Sequence, residues 1–537
     1  GGLERSSERS DLPAVSAPDV SVVIAVYNTM PYLTECLTSV LDQSIGVDRL
    51  EVIAVNDGST DASGAELDAW ARRYPGTVKV LHQQNSGGPA APSNRALEIA
   101  TGRYVFFLGA DDYLGTEALA RLVATADELE ADIVLGRLVG AGGRVVNQAV
   151  YEPGNRDDIT LADSALPWAL SNTKLFRRSL IEDLGLRYPE ELRSCSDQPF
   201  TLRAVVAARR IAVRADYTFY FARRRNDSSN ITYRTSLDGF VRDAAAIMDT
   251  AADVLTDPLA RERVLHRHFS WEIAKLLGDR FLAADRDEQR RVQEGVRKLA
   301  DTYLTDAIRA NLDVYRRIPI SVAQHGTLDD LIAVARHYAK QGLSPVVPDG
   351  DRFYAALPGF RDPDRGFPDA WYDASTAIRS LVHQTGPANV RWTREAGGRR
   401  MLAVGWHSAM PGLDQPTDPP AKVAAGERPG RLTLTPASGG TDVRAEFAVG
   451  DLVAGERERR RQRIRFSWTT RGESYSDDVT GLDLTAAGKI LHRRGLRFYV
   501  VHTDCDDYLR LGVVINPVTP RRIAGRLMRK LRQRRAR

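Results

Sequence analysis

The feature that most narrows the folds open to this chain is an alternation, between residues 20 and 108, of short apolar runs with helix-type repeats. Apolar runs at 20–26, 50–55, 78–81 and 104–108 are separated by stretches at 32–41, 66–74 and 90–100 whose apolar residues recur at helical spacing. In the first of these stretches Leu33, Cys36, Leu37, Val40 and Leu41 fall at i, i+3, i+4, i+7 and i+8, one stripe suited to a sheet face, and Pro31 suits a first helical turn. Cys36 therefore reads as core packing. The strand runs are apolar throughout, as expected where helices cover both faces of a parallel sheet. This is the βαβ rhythm of an open α/β domain.

In such a sheet ligands sit beyond the carboxyl ends of the strands, where loops diverge and helix N-termini point outward. The polar residues collect there: Tyr27-Asn28 after the first strand, Asn56-Asp57-Gly58-Ser59-Thr60-Asp61 after the second, and Gly109-Ala110-Asp111-Asp112 after the fourth. A single Asp before a helix is usually a cap, and Asp61 reads that way. Three polar strand ends together point to a site. Neither G-x-G-x-x-G after the first strand nor G-x-x-x-x-G-K-[ST] occurs, which argues against dinucleotide binding and a phosphate-cradling loop.

The strings VSVVIAVYN, VIAVNDGSTD and GRYVFFLGADDYL, in this order within the first 115 residues, resemble family 2 glycosyltransferases of the GT-A fold. The resemblance implies a nucleotide-diphosphate-sugar donor, a divalent metal (Mn²⁺ or Mg²⁺), and inversion at the anomeric carbon. Asp57 would accept a hydrogen bond from the base, with Val26, Tyr27 and Asn28 lining the same pocket. Asp111, beside Ala110, matches the metal-binding aspartate. The motif departs from D-x-D-D in having Gly109 first, and Asp112 is left as an outer or acceptor-side group or a helix cap. Asn94 and Arg95 stand where the family has a donor-binding N-x-G...A-R-N stretch. The family's E-D motif matches Ser196-Asp197, so Asp197 would be the base that takes the acceptor's proton, and a helix cap is the competing reading. No Q-x-x-R-W follows, which argues for single additions over processive synthesis.

Residues 220–232 gather Arg223, Arg224, Arg225, Ser228 and Ser229 in one loop. A solvated charge run competes with a phosphate-binding lid, since guanidinium forks suit phosphate oxygens. The resemblance places Arg224, Ser228 and Ser229 on the donor; Arg223 and Arg225 join Asp112 as candidates for the acceptor side.

The expected layout is an unstructured segment at 1–19, a GT-A domain of mostly parallel α/β type at 20–235, a helical linker at 236–344, an all-β sandwich-like module at 345–516, and a basic tail at 517–537. The order resembles transferases that attach N-acetylglucosamine to the poly(ribitol phosphate) of wall teichoic acid, which implies a polymer acceptor and a homo-oligomer, with a trimer as one form. Rival readings are transfer to a peptide or protein, and a non-catalytic glycan-binding scaffold. Three scattered cysteines and no apolar leader suggest the cytoplasm. The net charge of +4 includes nine positive charges within residues 521–537, so the remainder is mildly acidic, arguing against nucleic acid as partner. That tail, with Ile523, Leu527, Met528 and Leu531 on one side, would suit an anionic membrane surface; a solubilising tail is the alternative.

Overall fold

β1 (Val20–Val26), α1 (Tyr32–Leu41), β2 (Leu50–Asp57), α2 (Ser63–Arg73), β3 (Val78–Gln83), α3 (Ala90–Ile99) and β4 (Tyr104–Phe107) follow one another as the periodicity predicts. All eight residues of β2 are buried and the stripe of α1 packs inward, Cys36 included. This computed structural model describes residues 16–225, 235–382, 385–481, 487–506 and 508–518. Residues 1–15 and 519–537, and with them nearly all of the basic tail, lie outside that range, as do Ser228 and Ser229. Asp19, expected to be unstructured, is instead fixed by ion pairs to Arg49 and, at 2.7 Å, to Arg103.

The sheet continues with β5 (Tyr113–Leu114), then α4 (Ala118–Leu129), β6 (Ile133–Ala141), β7 (Leu175–Arg177), α5 (Arg178–Asp183), α6 (Asp197–Ala207) and β8 (Ile211–Arg223). Its spatial order is β3-β2-β1-β4-β7-β6-β8-β5. β1 to β4 pair in parallel, whereas β7 runs antiparallel to both β4 and β6, and β5 antiparallel to β8. This is a mixed α/β sheet of GT-A type.

At the amino ends of the strands, opposite the polar rim, Glu51 is buried yet fully engaged. Ser21 Oγ and Lys79 Nζ each donate to it at 2.6 Å, and Thr101 donates from its backbone N–H and hydroxyl at 2.9 Å. Burial alone would raise its carboxyl; Lys79, Ser21 and Thr101 outweigh that and hold it below its ordinary value.

The described residues divide into two compact units at His268 and Phe269. The helical stretch expected as one linker is shared between them: α7 (Leu237–Val254) and α8 (Pro258–His268) belong to the first unit, and helices such as Arg286–Tyr303 and Leu328–Gln341 to the second. The second unit then forms a ten-stranded sheet, antiparallel at each pairing. Gly397-Gly398 and Gly439 occupy hairpin turns there, as their spacing suggested. Among the described residues no helix is long and apolar enough to cross a membrane.

Candidate functional site

The carboxyl ends of β1, β2 and β4 are tied together by side chains. Asn28, with φ +49°, accepts on Oδ1 from the backbone N–H groups of Thr60 (2.8 Å) and Asp61 (3.2 Å), and its own N–H donates to Ser59 Oγ at 3.1 Å. Asp61 accepts from Ser63 N–H at 2.9 Å and from Met30 N–H at 3.2 Å, so it braces the α2 start as a cap would. Asp57 is buried. Its carboxylate accepts from Gln83 Nε2 (2.7 Å), from the Ser86 hydroxyl (2.8 Å) and from Ser86 N–H (3.1 Å), which pins the loop before α3. Gly58 allows this approach, because a Cβ there would lie 2.6 Å from Asn85 N and its φ is +74°.

The aspartate turn after β4 is built around Gly109. Its N–H donates to the Tyr220 hydroxyl at 3.1 Å, and that hydroxyl donates to Asp112 Oδ2 at 2.5 Å. Asp112 Oδ1 accepts from Arg223 N–H at 2.8 Å. Burial, and after it the neighbouring Asp111, raise the Asp112 carboxyl to about 7. Asp112 is therefore a buried joint between the turn after β4 and β8. Asp111 is different. Its carboxylate is partly exposed and accepts from Arg225 Nε at 2.7 Å, while Arg225 Nη1 reaches Asn28 O at 3.5 Å. Arg223 lies over the rings of Tyr32 and Tyr113 at 5.0 and 5.3 Å, pairs with Glu35, and donates to Asp111 O at 3.1 Å. Arg224 contributes its N–H to Ala141 O at 3.1 Å.

A second cluster surrounds Asp197 at the first position of α6. No side chain caps this helix, so the competing cap reading is not what the geometry shows. Asp197 Oδ2 accepts from Asn172 N–H at 3.3 Å. Burial raises its carboxyl above the ordinary value, against Asn172, Arg267 and Lys174, which lower it. Lys174 is enclosed: Nζ donates to Ala169 O and, at 2.6 Å, to Ser171 O, and burial pushes it down to about 7. The turn these carbonyls close is the one that offers Asn172 to Asp197, while Asn172 Nδ2 donates to the Tyr188 hydroxyl at 3.1 Å.

Four rings join the two clusters. Phe107 of β4 meets Phe176 of β7 at 5.9 Å, Tyr188 at 5.4 Å and Phe200 of α6 at 5.5 Å, while Tyr188 stacks on Phe200 at 4.3 Å and 3°. The strand that leads into the Asp111 turn and the helix that begins with Asp197 thus share one packed block. Edge and stacked contacts of this kind are worth about 0.5–1.5 kcal/mol each beyond burial.

Residues 21–185 match the family described as Glycosyl transferase family 2, and residues 237–335 match the Glycosyl transferase TarS linker domain. The chain carries a family 2 glycosyltransferase domain. It is 38% identical over 207 residues to the poly(ribitol-phosphate) beta-glucosyltransferase of Bacillus spizizenii, covering 38% of this chain and 32% of that protein. It is 32% identical over 255 residues to the poly(ribitol-phosphate) beta-N-acetylglucosaminyltransferase TarS of Staphylococcus aureus, covering 47% and 44%. The matched segments thus span less than half the length of these curated relatives. The crystal structure of S. aureus TarS 1–349 with UDP-GlcNAc aligns at 27% identity and a TM-score of 0.54, over 65% of this chain and 98% of that one. The S. aureus TarS crystal structure without that truncation aligns over 94% of this chain and 86% of that one, at a TM-score of 0.57 and 20% identity, which shows the fold.

Within the glycosyltransferase domain the expected donor residues divide. Val26 and Ala110 are buried, so they offer backbone only, and Tyr27, Asn28 and Asp111 are partly exposed on the rim. Asn94 is buried too, exchanging hydrogen bonds with Tyr188 O (2.9 Å) and Tyr188 N–H (2.7 Å) and donating to Glu190 at 3.0 Å. These bonds tie the start of α3 to the segment around Tyr188. Arg95 donates to His82 O at 2.9 Å and lies 3.4 Å from Gln83 Oε1, one link behind Asp57. Sequence reasoning missed Tyr32, Glu35, Lys174, Asn172 and Tyr220. Tyr32 and Glu35, three apart on α1, offered a signal: they are the face opposite the apolar stripe.

Proposed function

We propose that the glycosyltransferase domain moves a sugar, N-acetylglucosamine or a hexose, from a UDP-sugar to a hydroxyl of a polyol-phosphate or related cell-wall polymer, with inversion and one addition per encounter. The observation that carries this reading is the shared block holding the Asp111 turn and Asp197. It sits in a domain whose relatives are named as poly(ribitol-phosphate) transferases and whose structural neighbour was solved with UDP-GlcNAc.

The rim of β1 and β2 receives the nucleotide, Asp57 and its Ser86 loop facing the base and Asn28 shaping the ribose side. Arg223, Arg224 and Arg225 supply cations on the diphosphate side. Among the described residues no three His, Cys, Asp or Glu side chains form a metal cage. A single accessible hard carboxylate, Asp111, is nevertheless what a Mg²⁺ or Mn²⁺ ion carried largely by diphosphate oxygens requires. Such an ion, when bound, offsets the charge that gathers on the departing diphosphate. Asp197 accepts the proton of the attacking hydroxyl; its raised carboxyl makes it a stronger base than an exposed aspartate.

Asp197→Asn is expected to lower transfer by about 10²–10⁴-fold while calorimetry shows UDP-sugar affinity nearly intact; unchanged turnover would remove Asp197 from this role. Since Asp197 works ionised, the rate should fall on acidification through a value above the usual ~3.9 of aspartate. EDTA should stop transfer, and full activity in metal-free buffer would count against Asp111 as a metal ligand.

A further inference from the structure

In the second unit, strands Ile490–Arg494 and Arg497–Cys505 form a hairpin. Arg494 pairs with Arg497, so the turn is only Gly495-Leu496. Gly495 has φ +60°, a conformation suited to the first central residue of a two-residue hairpin turn. Leu496 is 89% exposed and Leu491 51%. Lys489, Arg493, Arg494 and Arg497 stand exposed around them. Arg493 donates to Gly495 O at 2.9 Å and lies over Phe498 at 5.8 Å, and Arg494 donates to Gly450 O. Among the described residues no carboxylate pairs with Arg493, Arg494 or Arg497; nearby Asp451 is held by Arg399 at 2.8 Å. His492 is held below its ordinary value mainly by burial, with Arg400 and Arg494 adding to it.

The exposed leucine gains free energy on leaving water, and the cluster of arginines that no carboxylate neutralises favours an anionic partner. A dissolved polyanion would relieve the arginines and leave Leu496 wet. A two-fold contact between copies at this turn would set arginines against arginines. An anionic lipid surface satisfies both, since guanidinium groups bind headgroup phosphates and an apolar side chain enters the acyl boundary. Val518 pairs with Phe498, two residues from the turn, and the nineteen residues that follow it in sequence carry nine Lys or Arg and no acid. We propose that this hairpin docks the protein on an anionic phospholipid surface, with Leu496 entering the headgroup region and Arg493, Arg494 and Arg497 on lipid phosphates.

The test sediments the full chain with phosphatidylcholine vesicles, with and without phosphatidylglycerol. Binding is expected only with the anionic lipid, and the combined variant Arg493→Glu, Arg494→Glu, Arg497→Glu should lower it at least about tenfold while nucleotide-sugar hydrolysis in solution is unchanged. In Leu496→Trp, emission should shift to the blue with anionic vesicles alone. The proposal fails if the wild-type chain ignores anionic vesicles or binds neutral ones equally, if the triple variant binds like wild type, or if the tryptophan does not shift. It fails equally if the triple variant loses binding to purified polyol-phosphate polymer but keeps vesicle binding, or if Leu496→Asp lowers the mass in sedimentation velocity without affecting vesicles.

Discussion

Gly109 decides the shape of the aspartate turn, because a Cβ there would lie 2.5 Å from Asp112 Oδ2 and 3.2 Å from the Tyr220 hydroxyl. The aspartate of a full D-x-D-D motif has no room unless that buried pair moves. Gly109→Asp is therefore expected to lower thermal stability and weaken donor binding in calorimetry, not to improve metal affinity, with partial recovery when Tyr220→Phe is added. Lys174 makes a separate prediction. Its folded value, about 7, lies below the ~10.4 of an unfolded lysine, so between those values the unfolded chain binds more protons and stability rises with pH. Lys174→Met should remove that rise from denaturation curves recorded between pH 7 and 10. At this scale the sequence was legible where a polar residue interrupts an apolar run: Asn28, Asp57 and Asp111 stand out against their strands. Lys174 did not, because Ser171-Asn172-Thr173-Lys174 reads as an ordinary polar loop until three-dimensional packing encloses the ammonium.

Elements with a full period announced themselves, and short ones did not. α1 and β1 to β4 follow from spacing alone, whereas β7 is three residues long, too short to show either alternation or an apolar run, and it is the strand that turns the sheet antiparallel beside β4. β6 and β8 pair with register shifts around Arg137, a feature set by the partner strand and invisible in either sequence. The loop from β3 to α3 belongs to the same scale, since Asp57 holds it from the end of β2. Gly58→Ala should drive the Asn85 backbone away and unseat Ser86. Steady-state kinetics should then show a raised KM for the sugar nucleotide with a smaller change in kcat; an unchanged KM would mean this loop does not shape the donor site.

For the whole molecule, the reading as a polymer enzyme predicts that radiolabelled sugar enters purified polyol-phosphate chains and not peptides, and label in peptides would favour the protein-modifying alternative. We also propose a homo-oligomer, a trimer being one form, whose mass sedimentation velocity would report; several sites on one particle raise the effective concentration of a repeating acceptor. The change of rhythm near residue 236 was legible and lies beside the start of the linker match at 237, but the division of the two units at His268 depends on which helices find partners in space, and periodicity carries no such information. The aromatic block under the two carboxylates has a consequence of its own. Dispersion contacts neither titrate nor respond to ionic strength. Acid and salt should therefore leave the gap between the two carboxylates as it was, whereas a change of ring volume, such as Phe200→Leu, is expected to shift it and, on the proposed roles of Asp111 and Asp197, to lower kcat.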